Sequence, residues 1–390
     1  MANQLRDVVV VAYGRSAVAK SGKKGFLRSQ HPVDYAGTVL RGVLNRVPQL
    51  NDEDIDDVIV GCSRPDGVTG GNTGRVIAMR AGLPWSVPGQ TVNRFCSSGL
   101  QTIATAANSI MAGQNDCVVA GGVEDMTLNG MAPSDPNIRN QWILENQPGI
   151  YMPMGITAEN VAERFGVPLE EMNAFAVESH KRAALAQDEG VFDAEIIPVE
   201  GNDEEGKPFE FKKDQGIRRE TSMEGLASLK PAFKEDGVVT AGTSSQTSEG
   251  TGFVVLMSAE KAQALGVKPI ARFLGFKVAG VDPSIMGIGP VEAIPRVMAL
   301  TGLSVDDMDV IELNEAFASQ AIYCIQKLGL DTRKVNPNGG ALALGHPLGA
   351  TGAILTCKAL NQLQRINGRY AMVSMCIGGG MGAAGIYERL

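Results

Sequence analysis

Three histidines and six cysteines are the imidazoles and thiols this chain offers for nucleophilic or proton-transfer chemistry. The cysteines stand at Cys62, Cys96, Cys117, Cys324, Cys357 and Cys376, none in a CxxC pair. Most lie in apolar runs, where a thiol acts as a small buried hydrophobe. The spacing supports neither a disulfide framework nor a zinc site, and a reducing compartment is expected. Two of them sit differently. Cys96, in VNRFCSSGL, falls between an extended run and a helix. A thiol at a helix start meets free N–H groups and the positive end of the dipole, which would make it a nucleophile near neutral pH. A buried structural cysteine at a strand–helix junction fits the same pattern. Cys376, in MCIGGGMGAAG, precedes glycines that allow either close packing or the approach of backbone amides to a ligand. The P-loop lysine is absent, so phosphate binding has little support there.

Of the histidines, His31 precedes Pro32 in a polar stretch and is expected at the surface. His180, in ESHKRAA, is expected on a solvated helix face. His346 lies in NGGALALGHPLGATG, a glycine-rich turn whose Pro347 suits a first helical turn. A histidine held there serves structure or chemistry equally well. Asn314 opens NEAF after a strand-like run. The carboxyl ends of strands are where α/β sheets place function, although a helix cap is the plainer role.

These residues need elements to position them. Asp7–Ala12, Asp57–Val60 and Cys117–Ala120 read as buried strands, and Val33–Asn45 and Gly99–Ala112 as helices between them. The rhythm returns with Asp309–Leu313, Glu315–Leu328 and Ala371–Met375, predicting an α/β fold with a largely parallel sheet. Pro32–Val33, a helix, then DIDDVI resembles Pro290–Val291, a helix, then DMDVI, which points to an internal duplication. Asp125–Pro148 has no clear period, and Gly201–Arg219 is charge-dense, with Lys212, Lys213, Arg218 and Arg219 close together. Helical pieces at Thr157–Phe165 and Leu169–Gln187 suggest a folded insertion from the first half, returning near Thr240–Gly252.

With 390 residues, 44% of them hydrophobic, the chain exceeds one ordinary domain. A net charge of −8 and 5% aromatic content argue against a nucleic-acid partner. No apolar run approaches the ~18 residues of a membrane span. The start carries no signal-peptide pattern, so a cytoplasmic location is expected.

Taken together and in order, VNRFCSSG, NEAF, GGALALGHPLGATG and CIGGGMG resemble the four active-site loops of the thiolase family. KPAF (230–233), TAGTSSQTSEG (240–250) and PMGITAENVAERFG (153–166) extend the likeness nearly end to end. The resemblance implies two β-α-β-α-β-α-β-β halves in α-β-α-β-α layers with an inserted loop domain. The first half would be 1–123 plus 244–268, the insertion 124–243 and the second half 269–390. It implies Cys96 as the acyl-accepting nucleophile, His346 as its base, and Cys376 as acid/base at the substrate α-carbon. Asn314 through a water, with His346, would form one oxyanion hole; the amides of Cys96 and Gly378 would form the other. Arg218, Ser245, Ala241, Met154 and Phe317 match coenzyme A-binding or tunnel positions. Coenzyme A and acyl-CoA are then substrates, and no metal, nicotinamide or flavin is called for. A homodimer or homotetramer is expected, with an apolar, sheet-extending self-contact near Val87–Arg94. Where many thiolases carry an Arg-Thr-Pro-like segment after the first strand, this chain has Gly14-Arg-Ser-Ala. Pro153, where short-chain biosynthetic relatives often carry His, favours 3-ketoacyl-CoA thiolysis over acetoacetyl-CoA synthesis.

Overall fold

The computed structural model describes residues 5–130 and 138–390, so part of the aperiodic Asp125–Pro148 stretch lies outside the described residues. The apolar β-branched runs form strands and the 3.6-period segments form helices. The first half runs β1 (Val8–Arg15), β2 (Ala19–Lys20), α1 (Pro32–Leu44), β3 (Asp57–Gly61), α2 (Thr73–Arg80), β4 (Gly89–Val92), α3 (Ser98–Met111) and β5 (Cys117–Glu124). An excursion follows with α4 (Gln141–Asn146), α5 (Met154–Phe165), α6 (Leu169–Asp188), the hairpin β6 (Val199–Asn202) and β7 (Pro208–Phe211), and α7 (Met223–Ala227). The chain returns as β8 (Ser248–Ser258) and α8 (Ala259–Leu265). The second half runs β9 (Ala271–Gly280), α9 (Gly289–Thr301), β10 (Val310–Leu313), α10 (Ala318–Leu328), α11 (Ala341–Leu344), α12 (Leu348–Ile366), β11 (Tyr370–Ile377) and β12 (Met381–Arg389).

The duplication is visible in three dimensions. Strand order β4-β3-β5-β8-β1 in the first half is mirrored by β10-β11-β12-β9 in the second. Both α1 and α9 start with proline in the first turn and lead through a short acidic 3-10 turn into β3 and β10. The counterpart of β4 is reduced to a single parallel bridge between Ile311 and Val335, so the second half lacks one strand of the expected repeat.

The expectation of a largely parallel sheet is corrected. β3–β4, β3–β5 and β10–β11 are parallel. β5–β8, β8–β1, β1–β9, β9–β12 and β12–β11 are antiparallel. Continuous apolar strands report burial on both faces, and that does not fix direction. Among the described residues the two half-sheets pair at a short seam, Val9 opposite Arg272 and Val10 opposite Ala271. Between them lie α3 and α12, packed on Val118, Ala120, Val254 and Leu256 from one side and Val373 and Met375 from the other. α1 and α9 cover the outer faces. Among the described residues no helix is long and apolar enough to cross a membrane.

Buried charges tie the excursion to this frame. Arg15 closes β1 with Nε 2.8 Å from Glu195 and the guanidinium tips 2.8 and 2.9 Å from Asp214. Asn361 of α12 donates to the same Glu195 at 2.9 Å. All four residues are buried. Lys358 of α12 bonds Glu312 of β10 and the Gly339 carbonyl, both at 2.7 Å. Such groups are costly to desolvate and very costly to leave half-paired. Replacing Arg15 with Met is therefore expected to lower stability by ~3–5 kcal/mol, read as a drop in the thermal midpoint. Loss of the exposed Lys212–Glu210 pair should leave the midpoint in place.

Candidate active site

Parallel strands β10 and β11 end side by side, Leu313 opposite Ser374. The Asn314 amide donates to the Ser374 carbonyl at 2.9 Å, and Cys376 follows two residues later on β11. The chain then reverses through Gly378-Gly379-Gly380, with Ile377 opposite Met381. Gly379 and Gly380 have φ of 78° and 83°, and a Cβ on Gly380 would sit 2.5 Å from the Val281 carbonyl oxygen. Larger residues cannot make this turn, and the turn presents the Gly378 amide to the Cys96 sulfur.

Cys96 sits in a 3-10 turn, Phe95–Ser97, just ahead of α3. Phe95 has φ of 45°, a left-handed conformation that costs a non-glycine residue ~1–3 kcal/mol and concentrates at functional sites. It is held there by hydrogen bonds: its amide donates to Asn93 Oδ1 at 2.8 Å, and Ser98 Oγ donates to its carbonyl at 2.7 Å. The turn packs on β11 and on α12, where a Cβ on Gly99 would lie 2.8 Å from the Ala353 amide nitrogen.

His346 enters from the second half. Its amide lies 3.2 Å from the Gln246 carbonyl and 3.3 Å from Ser248 Oγ. Its ring Nδ1 is 2.6 Å from Thr351 Oγ1, which donates its single proton to the Pro347 carbonyl at 3.1 Å. That hydroxyl must accept from the ring, so Nδ1 carries the hydrogen and Nε2 presents a lone pair. Nε2 faces Asn314 Nδ2 at 3.3 Å, and Asn314 Oδ1 has no hydrogen-bond partner. Behind them, the buried Glu315 accepts from Ser179 at 2.6 Å, Asn336 at 2.8 Å and the Leu342 amide at 3.2 Å, locking NEAF to the loop that carries His346.

Burial sets the electrostatics. It raises the Cys96 thiol to about 11, against the favourable pull of the Gly378 and Cys96 amides. The expected activation near neutral pH by the helix start is thus overturned, because desolvation of the thiolate outweighs the helix-end amides. Burial also lifts Cys376 well above the ordinary thiol range, and the neighbouring Cys96 adds to it. Burial alone lowers His346 to about 4, keeping the imidazole neutral. The resting site is therefore two thiols and a neutral base.

Met154 reaches this centre, its sulfur 3.4 Å from where a Gly378 Cβ would stand. Phe317 lies beside Phe233 of KPAF, ring edge to face at 5.9 Å, and bridges to Ser244. The Ser245 amide donates to the Ala316 carbonyl at 2.9 Å. The structure thus gathers Cys96, Gly378, Cys376, Asn314, His346, Met154 and Phe317, with Ser245 adjoining. Arg218 and Ala241 are exposed. The basic cluster is less free than its sequence implied: Lys212 pairs with Glu210 and Arg219 with Asp188. Among the described residues Arg218 has no carboxylate partner; its amide donates to His180 Nδ1 at 3.0 Å. His180 is not on a solvated face but buried, and desolvation with the nearby Arg218 lowers it to about 4. His31 is exposed, as expected, and its ring caps α1.

Thr351, Ser248, Glu315 and Glu124 were missed in the sequence. Glu124 accepts from the Gly349 amide at 2.7 Å and Ser63 at 2.9 Å, joining β5 to the start of α12. Thr351 was findable as the hydroxyl one helical turn beyond Pro347; a lone buried glutamate gives no such signal. One pH prediction follows for the free protein. Below about 11 the thiol form of Cys96 prevails, so alkylation of the Cys96 peptide by iodoacetamide, read by mass spectrometry, should climb about tenfold per pH unit from pH ~7 toward ~10. A plateau by pH ~8 would contradict the assignment.

Residues 8–260 match the family "Thiolase, N-terminal domain" and residues 267–389 "Thiolase, C-terminal domain". The chain is 49% identical to the 3-ketoacyl-CoA thiolase of Bacillus subtilis (strain 168), covering 98% of this chain and 100% of that one. It is 46% identical to the peroxisomal 3-ketoacyl-CoA thiolase of Homo sapiens, covering 98% and 91%. Among solved structures, the Bacillus anthracis acetyl-CoA acetyltransferase superimposes with a TM-score of 0.92 at 39% identity over 100% of both chains. Human mitochondrial 3-ketoacyl-CoA thiolase does so with 0.90 at 35%, over 99% and 100%.

Proposed function

The chain belongs to the thiolase family, and on that premise we propose that it cleaves 3-ketoacyl-CoA with coenzyme A, giving acetyl-CoA and an acyl-CoA two carbons shorter. The observation that carries this reading is the meeting of Cys96 and Cys376 beneath the Gly378 amide, with His346 Nε2 unprotonated. Cys96 attacks the 3-keto carbon and its proton passes to His346 Nε2. The tetrahedral oxyanion faces the amides of Cys96 and Gly378. As the carbon–carbon bond breaks, the departing enolate takes the Cys376 proton and leaves as acetyl-CoA. Its oxygen is stabilised by the now protonated His346 and by Asn314. The incoming coenzyme A thiol gives its proton to the Cys376 thiolate and attacks the acyl group. Cys96 departs and recovers its proton from His346, restoring the starting state.

A thiol lifted by burial suits the Cys376 role, because it holds its proton until a strongly basic carbanion forms beside it. The thiolytic direction is supported by the two 3-ketoacyl-CoA thiolase relatives and by Pro153. Residues 124–243 are proposed as the coenzyme A-binding domain, with Arg218 toward the nucleotide, Ser245 and Ala241 along the pantetheine arm, and Met154 and Phe317 as tunnel wall. Coenzyme A acts as substrate and no further cofactor is assigned. A homodimer is proposed through β4, which lies at one end of the sheet order with no partner on its outer side among the described residues; its sequence GQTV is less apolar than the self-contact first expected. A cytoplasmic enzyme is the reading adopted.

Cys376→Ser is expected to lower thiolysis by ~10²–10⁴ and to abolish exchange of the acetyl-CoA methyl protons into deuterated water. Retained exchange would remove Cys376 from the acid/base role. His346→Ala should lower kcat by at least ~10², with KM for 3-ketoacyl-CoA little changed.

A further inference from the structure

β5 and β8 run antiparallel with Val123 opposite Thr251 and Glu124 opposite Gly250. Asp125 is the residue just past the end of β5 and Glu249 the one before Gly250 in β8, and the charge of Asp125 acts on Glu249. Both are fully buried. Asp125 Oδ1 accepts from the Thr127 and Leu128 amides at 3.0 and 2.7 Å, whereas Asp125 Oδ2 has no hydrogen-bond partner among the described residues; Glu249 makes no close hydrogen bond there, and the Thr127 hydroxyl and amide are the donors turned toward it. Continuing the register by one residue would put the two carboxyls on one face at the ~4.5–5.5 Å Cβ spacing of opposed residues. Among the groups facing them, Thr127 accepts from the Gly22 amide at 2.7 Å and turns its hydroxyl and amide toward Glu249. Tyr35 of α1 gives its hydroxyl proton to the Glu124 carbonyl at 2.9 Å. Glu124 is a third acid, and His31, at the cap of α1, is exposed. No ion pair to Asp125 or Glu249 exists among the described residues.

We propose that Asp125 and Glu249 share one proton, Glu249 donating it to Asp125 Oδ2, and that this neutralised pair is a positioning group for His346. Two ionised carboxylates buried side by side repel strongly, and one shared proton gives Asp125 Oδ2 its donor and removes one of the two charges. The link to His346 lies in strand geometry. Side chains alternate across a strand, so the neighbours Glu124 and Ser248 point to the opposite face, into the layer of α12. There Ser248 Oγ meets the His346 amide and Glu124 holds the Gly349 amide. The same two strand ends carry the acid pair on one face and grip the segment around His346 on the other. Burial, with Asp125 adding, lifts Glu249 to about 8, so ionisation above that drives the ends apart and loosens the grip.

The effect on His346 rests on its assignment as the base of Cys96; the shared proton does not, and the test separates them. Infrared spectra at pH ~7 should show the carbonyl band of a protonated carboxyl that disappears in Glu249→Gln. The folded state binds this proton more tightly than the unfolded one between the ordinary 4.5 and about 8, so the wild-type thermal midpoint should fall across that window and Glu249→Gln should flatten the fall. Thiolysis by the variant should keep its rate to higher pH than wild type, since Gln remains a neutral donor opposite Asp125. Asp125→Asn should remove the same alkaline loss, a rescue that mere loss of packing cannot give. An unchanged spectrum and midpoint slope in Glu249→Gln would overturn the shared proton. A shifted slope with an unmoved rate profile would overturn the positioning role alone. A wild-type midpoint that rises with added K⁺, Na⁺ or Mg²⁺ at fixed ionic strength, and no longer does so in Glu249→Gln, would assign a cation in place of the proton and also overturn the proposal.

Discussion

Desolvation is the constraint on which this site depends. Cys96, Cys376 and His346 are each pulled toward the neutral form because the surrounding protein solvates charge poorly. The consequence is a resting pocket with no net charge at the reacting atoms. In the proposed reaction charge develops only as the sulfur attacks, and the Cys96 and Gly378 amides already point at that sulfur. Preorganised dipoles in a dry pocket act with little reorganisation at that moment, which is why they count for more there than in water. A preformed thiolate would instead need solvation that this pocket withholds.

Keeping such a pocket closed and accurate requires many anchors, and most converge on the central helix layer. α12 receives Glu124 from β5 at its first turn, Lys358 ties it to β10, and Asn361 joins it to the Arg15–Glu195–Asp214 group. α3, which follows Cys96, packs against it through glycines too close for any Cβ. Cys96 from the first half and His346 from the second are therefore referred to one rigid element. Duplication explains the economy of this arrangement: the two halves turn equivalent strand ends toward a shared layer, and each contributes loops from there.

Much of this was legible in the residues. Alternation of apolar strands with amphipathic helices located nearly every frame element, because burial leaves its period in the sequence. Cys96, His346, Cys376 and Asn314 stood out because glycines and strand ends flanked them. Three things were not legible. Strand direction depends on connections made far along the chain, so the antiparallel pairing of β8 with β1 and β5 left no local trace. The charge state of Cys96 depends on how completely the second half covers it, and the helix start alone suggested the wrong sign. His180 sat among charged neighbours in ESHKRAA, yet the excursion folds back and buries it against the Arg218 amide. Glu249 and Asp125 are ordinary letters until the pairing of β5 with β8 brings their strand ends together and buries both.

The central proposal is that Cys96, roofed by the Gly378 amide, is where the acyl group rests between substrates. The direct measurement is mass spectrometry of peptides from the native enzyme quenched in acid after brief exposure to acetyl-CoA without an acceptor. The account predicts one acetyl group, carried by the peptide containing Cys96, and its loss when coenzyme A is added before the quench. Acetyl on Cys376 instead, or no acylated cysteine while turnover proceeds, would contradict it.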